Sequence, residues 1–288
     1  MILDKRILLL GHSGKMGTAL RETFSDCPDL VCRNSSDFDA SDFDQVGTLI
    51  EEVQPDIVIN TVAFLGIDPC EAEPEKAFRL NILYPRTLAE LSRDKGFILI
   101  HFSTDAVFSD RESGFYTEAD TPRPLNMYGV TKYGGDCVVQ SLAERYYIIR
   151  IPILFGPKSK NNQFVEKMLG LIDGGLETLR ISEDIISSPT YSMDIARQVK
   201  RIVLNGLPWG VYHVANQGKA SLYELMKEVV ANLELDARVE RASYKDFPHV
   251  GVKNTCTPIT SQKIEALRPW KDAVREYCKN LQAIHHGD

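Results

Sequence analysis

The sequence predicts an α/β fold: a doubly wound parallel sheet followed by a smaller C-terminal domain. Three observations carry this expectation. Residues 7–10, 55–60, 97–102 and 146–151 are short, predominantly apolar runs. Such runs suit parallel strands buried on both faces rather than the alternation of a half-exposed sheet. Helix-patterned stretches separate them, in the β-α-β-α order that joins parallel neighbours. The first run also ends in a glycine-rich turn that opens a helix.

Residues 7–10 form the first strand, and Gly11, His12, Ser13, Gly14, Lys15, Met16 and Gly17 follow it into a helical pattern that runs through Phe24. Strand, glycine turn and helix are the setting of a Rossmann-type dinucleotide site. Glycines let the backbone approach a pyrophosphate, and the helix N-terminus offers N–H groups and the positive end of a dipole. The spacing is G-x-x-G-x-x-G rather than G-x-G-x-x-G, with Gly11, Ser13 and Gly14 as candidate cofactor contacts. A second strand at 30–32 leads to Arg33, Asn34, Ser35 and Ser36. An NAD-selective fold places an acid at this point, whereas a cation with hydroxyls suits a 2′-phosphate. NADPH is therefore expected, with NADH left open. Asp37, Asp39, Asp42 and Asp44 read as solvated caps before a helix at 46–53, and Asp39 and Ala40 are placed to border the adenine.

The third strand, 55–60, delivers residues 61–65 to the C-terminal edge of the sheet, where ligands bind in open α/β folds. A helix over 74–89 contains Asn81, which is expected to serve backbone or water contacts without a chemical role. The fourth strand, 97–102, ends in Ser103, Thr104 and Asp105, facing the same crevice and placed to hydrogen-bond a substrate. The fifth, 146–151, stops before Pro152. A cofactor-binding domain is thus expected over 1–152. Beyond it the pattern loosens into a flexible polar loop at 158–162, a helix at 163–172, the stretch 185–191, a buried strand at 211–215 and a helix at 222–232. Ser221 and Glu224 form a capping box for that last helix. Residues 153–288 are expected to form mostly a substrate-binding domain, with some segments returning to the main sheet.

Composition narrows the function. Hydrophobic residues make up 43% and charged residues 25%, and the net charge is −7 with no block of like charges. Nucleic acid and anionic membrane surfaces call for a basic face, so neither is an expected partner. The N-terminal apolar run is too short for a signal sequence or a membrane span. Six cysteines without Cys-x-x-Cys spacing predict a reducing, cytoplasmic setting. His285 and His286 are adjacent, but no metal-binding motif is present.

Tyr128 and Lys132 stand four apart in a stretch, 126–135, that reads as the start of a helix. That spacing puts phenol and ammonium on one face. The ammonium is expected to lower the phenol pKa, so that Tyr128 can exchange a proton with a carbonyl or hydroxyl oxygen. With a hydride-carrying cofactor this is the equipment of a carbonyl reductase.

In this order the motifs resemble the extended short-chain dehydrogenase/reductase superfamily and, within it, the dTDP-4-dehydrorhamnose reductase family. They include residues 11–17 and 55–60, Asp68 with Glu71 and Glu73-Pro74, and Ser103-Thr104-Asp105 with Val107-Phe108. Pro124-Leu125-Asn126 then runs into Tyr128-Gly129 and Lys132, followed by Ser188-Pro189-Thr190, Gly210-Val211-Tyr212-His213 and Pro269-Trp270. The resemblance implies a catalytic triad of Thr104, Tyr128 and Lys132. It implies cofactor contacts at Gly14, Lys15, Met16, Asp39, Ala40, Ala63, Phe64, Leu65, Phe102, Tyr128 and Lys132, and a nucleotide sugar at Thr104 and Asp105. It also leaves room for a homodimer. Three places depart from the family pattern. Ile153, in the substrate region, replaces a Trp; Leu65 replaces a Thr; and Val252-Lys253-Asn254-Thr255 blurs an Arg-Pro-x-Asn-Ser block. Residues 150–154 also resemble the NADP-binding regulatory subunit of methionine adenosyltransferase, and a sugar-nucleotide epimerase is a third alternative.

Overall fold

The architecture follows from a computed structural model that describes residues 4–157 and 163–285. The first half runs β1 (Ile7–Leu10), α1 (Lys15–Thr23), β2 (Leu30–Arg33), α2 (Phe43–Val53), β3 (Ile57–Asn60), α3 (Ile67–Ala72), α4 (Pro74–Phe78), α5 (Tyr84–Lys95), β4 (Ile98–Thr104), α6 (Met127–Leu142) and β5 (Tyr146–Ile151). The second half runs β6 (Leu154–Phe155), α7 (Phe164–Asp173), β7 (Thr178–Ser182), β8 (Ile186–Ser187), β9 (Thr190–Tyr191), α8 (Ser192–Leu204), β10 (Gly210–His213), β11 (Ala220–Ser221), α9 (Leu222–Asn232), β12 (Arg238–Ala242) and α10 (Trp270–His285). The loop expected at 158–162, and His286, lie outside the described residues.

Six parallel strands form the central sheet in the order β10-β5-β4-β3-β1-β2. The apolar runs explain why it is covered on both sides. Ile7, Leu9, Ile57, Ile59, Ile100, Phe102, Tyr147 and Ile149 belong to one core, together with side chains of α1, α8, α9 and α10. Their alternates Leu8, Leu10, Val58, Leu99 and Ile148 belong to a second core, with α2, α5 and α6. The period-two pattern of a strand thus supplies both faces at once.

The expected strand at 211–215 does return to the sheet: β10 pairs with β5, Val211 opposite Ile148. Ser221 and Glu224 close the expected capping box on α9. The helix expected over 74–89 is interrupted. Between α4 and α5, residues Arg79–Leu83 form one π-helical turn, and Asn81 is wholly buried there. Widened turns of this kind recur at functional sites. α8 and α10, which the sequence reading did not anticipate, pack the second half of the chain onto the sheet. No helix among the described residues is long and apolar enough to cross a membrane.

Candidate active site

The strand order reverses at β1, which lies between β2 and β3. Ligands bind at such switch points, outside the carboxyl ends of the strands. A cavity of about 430 Å³ opens there, lined from the first half of the chain by Gly14, Lys15, Met16, Ala63, Leu65, Phe102, Thr104, Asp105, Tyr128 and Lys132. Ile153, Gln163, Ile186, Ser187, Asn254 and Thr257 line it from the second half. Catalytic candidates and much of the expected cofactor turn therefore share one cleft. Gly11, Ser13, Arg33, Asp39, Ala40 and Phe64 lie outside its lining. The Asp39 carboxylate accepts from Ser41 N and Oγ, both at 2.8 Å, and so caps its own turn. Arg33 donates to its neighbour, the Cys32 carbonyl, at 3.0 Å. A larger cavity, about 560 Å³, lies between α8 and residues 263–268, away from all of these groups.

The glycine turn fits a pyrophosphate. Gly14 is the N-cap of α1 in extended backbone and supplies no side-chain cap, so the first N–H groups of the helix remain for a ligand. Gly17 makes the turn close: a Cβ there would stand 2.1 Å from the Gly11 carbonyl oxygen. Gly11 itself has a φ of 84°, in the left-handed region. Beside it, His12 Nδ1 is buried without a partner among the described residues.

Tyr128 and Lys132 stand in the first turns of α6, whose N-cap Asn126 accepts from Gly129 N at 2.9 Å. No side chain fits at Gly129, where a Cβ would be 2.2 Å from the Ala106 carbonyl oxygen. This close approach seats the tyrosine turn directly against the end of β4. The Thr104 and Tyr128 side chains line the same cleft. The Thr104 hydroxyl donates to Asp105 Oδ1 at 3.1 Å and accepts from Ala106 N at 3.1 Å. Asp105 Oδ2 accepts from Ser187 Oγ at 2.8 Å and Thr257 Oγ1 at 3.0 Å, so second-half hydroxyls fix the same carboxylate. Lys132 Nζ donates to the Phe102 carbonyl at 2.6 Å. One turn on, Asp136 is completely buried and pairs with Arg150 at 3.0 Å. Behind the tyrosine, Asn81 Nδ2 donates to the Phe64 carbonyl at 2.9 Å and to Thr131 Oγ1 at 3.1 Å, and its Oδ1 accepts from Phe64 N at 2.9 Å. The two bonds to Phe64 are the backbone contacts expected of it.

Electrostatics correct one expectation. Lys132 does not bring the Tyr128 pKa down. Burial drives it well above the ordinary phenol value, opposed by the neighbouring Thr104 hydroxyl and helped by the Asp105 and Cys70 charges. Tyr128 is therefore a protonated phenol at neutral pH, the form that gives a proton away. Burial lowers Lys132 to about 8, while the Asp136 charge opposes that fall. Asp105 is pushed up by burial against three hydroxyl hydrogen bonds.

Asp136, Arg150, Ser187 and Thr257 escaped the sequence reading. They come from separated segments whose meeting has no local signal. The one available cue was Asp136, four residues after Lys132 and so on the same helical face.

A parallel switch-point sheet, a glycine turn and a Tyr–Lys pair beside the end of the fourth strand define an extended short-chain dehydrogenase/reductase. The chain belongs to the family described as the RmlD substrate binding domain, whose model matches residues 5–283. It is 31% identical over 277 residues to the spore coat polysaccharide biosynthesis protein SpsK of Bacillus subtilis, covering 94% of this chain and 96% of that protein. It is 30% identical over 296 residues to the dTDP-4-dehydrorhamnose reductase of Aggregatibacter actinomycetemcomitans, covering 96% and 98%. The structure of dTDP-4-dehydrorhamnose reductase from Bacillus anthracis in complex with NADP matches with a TM-score of 0.91 at 26% identity, over 96% of this chain and 99% of that one.

Proposed function

We propose that this chain is an NADPH-dependent reductase acting on the C4 ketone of a nucleotide-activated 4-keto-6-deoxy sugar, as in dTDP-4-dehydrorhamnose reductase. The observation that supports it is the meeting, in one cleft, of the Tyr128 phenol, the Thr104 hydroxyl and the Lys132 ammonium with the N-terminus of α1. NADPH, when bound, supplies the hydride that reduces the ketone carbon. The α1 N-terminus would hold its pyrophosphate, and Lys132 its nicotinamide ribose. Tyr128 delivers its phenolic proton to the ketone oxygen as negative charge develops there. Thr104 hydrogen-bonds the same oxygen, which requires its proton to turn away from Asp105. Asp105 orients Thr104. Ile153 and Leu65, with Ile186, give the wall of the cleft an apolar character suited to a deoxy sugar.

The proposed division of labour runs along the chain: residues 1–152 for the cofactor, and most of 153–288 for the sugar nucleotide. All six cysteines are free thiols, in keeping with a reducing cytoplasm.

The test is NADPH oxidation with dTDP-4-keto-6-deoxy sugar, for the wild type and Tyr128→Phe. The variant is expected to lose on the order of 10²–10⁴ in rate while still binding NADPH. Equal turnover by the two proteins would remove Tyr128 from the reaction. NADPH binding without turnover across a panel of keto sugars would favour the regulatory-subunit alternative.

A further inference from the structure

Lys15 sits in the glycine turn, yet its side chain leaves the turn for the other half of the chain. Its ammonium donates to the Pro157 carbonyl at 2.7 Å and the Gly156 carbonyl at 3.2 Å, and it lies 2.9 Å from Glu166 Oε1. The side chains are only 1% and 9% exposed. An ammonium has three N–H donors, and three acceptors surround this one. Glu166 is itself tied on both sides. Its other oxygen accepts from Gln163 N at 3.1 Å, closing the cap of α7, and Tyr277 Oη of α10 lies 3.4 Å from Oε1. Gly156 lets the parts close up: a Cβ there would stand 2.1 Å from Ser192 Oγ at the start of α8 and 3.6 Å from Lys15 Cδ.

We propose that Lys15 is a positioning residue: its buried pairing with Glu166 locks the glycine turn onto the α7 wall of the cleft, and its ammonium is not a ligand of the cofactor phosphates. Swinging it to a phosphate would strand a carboxylate in the interior, which is strongly unfavourable. A buried ion pair adds little net stability but can fix one arrangement of the elements it joins. Here those elements are α1, which starts the cofactor site, and α7, which borders the sugar site. NADPH affinity therefore depends on Glu166, a residue more than 140 positions from the turn.

The proposal rests on the NADPH reading above, and the two fail separately, because absence of NADPH binding by the wild type sinks that reading alone. NADPH dissociation constants are measured by fluorescence for the wild type, Lys15→Met, Glu166→Gln and the double variant, with ligand-free melting temperatures beside them. Glu166→Gln keeps an oxygen for the Gln163 N–H, so the cap of α7 survives. Each single variant is expected to weaken NADPH by about tenfold, a coupling ordinary for contacting residues. The double variant, with no buried charge left unpaired, is expected to bind better than Lys15→Met. In turnover the KM for NADPH rises while kcat holds, which a general loss of folded protein would not produce. A Glu166→Gln protein that binds NADPH as tightly as wild type, or tighter, overturns the proposal, since freeing the ammonium would then have helped. A double variant no better than Lys15→Met overturns it as well. Should the single variants fail to fold, the double variant decides: NADPH binding weakened with the salt dependence of its dissociation constant unchanged supports the tie, whereas binding as tight as wild type, or a flattened salt dependence as for a lost phosphate contact, overturns it.

Discussion

Lys132 illustrates how burial sets chemistry at the scale of one residue. Its folded pKa of about 8 lies below the 10.5 of an exposed lysine, and burial is the main cause. The sign of the consequence follows. Between those two values the unfolded chain binds more protons than the folded one, so Lys132 costs stability below pH 8, and that cost fades as pH rises toward 10.5. Activity is expected to run the other way, because in the proposed mechanism the ammonium is the form that holds the nicotinamide ribose. The kcat/KM profile is therefore expected to fall on the alkaline side with an apparent pKa near 8, read from initial rates between pH 6 and 10. A profile flat to pH 10 would take Lys132 out of that role. Arg150 lies one layer deeper, where its guanidinium meets Asp136 in the interior. Arg150→Met strands that carboxylate, and removing one partner of such a pair typically costs about 3–5 kcal/mol. Urea denaturation of the variant measures it, and a loss under about 1 kcal/mol would mean that the pair is not solvent-excluded.

At the scale of elements, α6 depends on its cap. Asn126 accepts from Gly129 N with its oxygen, and its Nδ2 donates at 2.8 Å both to the Val252 carbonyl and to Asn254 Oδ1. One side chain starts the helix that carries Tyr128 and Lys132 and pins residues 252–254 beside the cleft. Asn126→Ala is expected to lose about 1 kcal/mol for the cap. It should also raise amide exchange across 250–257 while leaving β4 protected, as hydrogen-exchange mass spectrometry can show. Unchanged exchange in that segment would mean that its other ties suffice: Asp68 accepting from Val250 and Gly251 N, Asp110 from Thr255 and Cys256 N, and the Phe108 carbonyl from Asn254 Nδ2. The elements also show what was legible in the sequence. The strands were, because a run such as Ile57-Val58-Ile59 must be buried on both faces wherever it lies. The proposed Tyr128–Lys132 pair was legible because helical spacing alone puts the two residues on one face. The break of the 74–89 helix was not, since it follows from a tertiary demand: Asn81 must turn inward to bond Phe64 and Thr131. α8 carried a readable stripe, with Ile195, Val199 and Ile202 all fully buried at helical spacing. Its partner α1, far away in the chain, carries no local trace.

At the scale of the whole molecule, division by ligand need not be division by folding. The core on one face of the sheet joins Ile7, Leu9, Tyr147 and Ile149 to Ile195 and Val199 of α8, Leu225 and Val229 of α9, and Val274 and Tyr277 of α10. β10, the strand that covers the edge of β5, also comes from beyond residue 152. Cutting the chain there would bare an edge strand and most of one sheet face. Eight sheet side chains face that way, each worth about 1.5–3 kcal/mol when buried. Losing even half of that burial rivals the roughly 5–15 kcal/mol by which folded domains are stable. The prediction is that residues 1–152 alone neither fold cooperatively nor bind NADPH, and that the full chain unfolds as one unit. The chain is suited to the second half of the test, because its two tryptophans, Trp209 and Trp270, both lie beyond residue 152. In urea, tryptophan emission reports the second half, and NADPH binding reports the cofactor turn in the first. One unit requires the two signals to be lost at the same midpoint. A fragment 1–152 with its own cooperative transition and NADPH affinity within tenfold of the full chain would show instead that the cofactor half is an independent domain. The two halves of the cleft would then be joined by ties such as Lys15–Glu166 rather than by a common core.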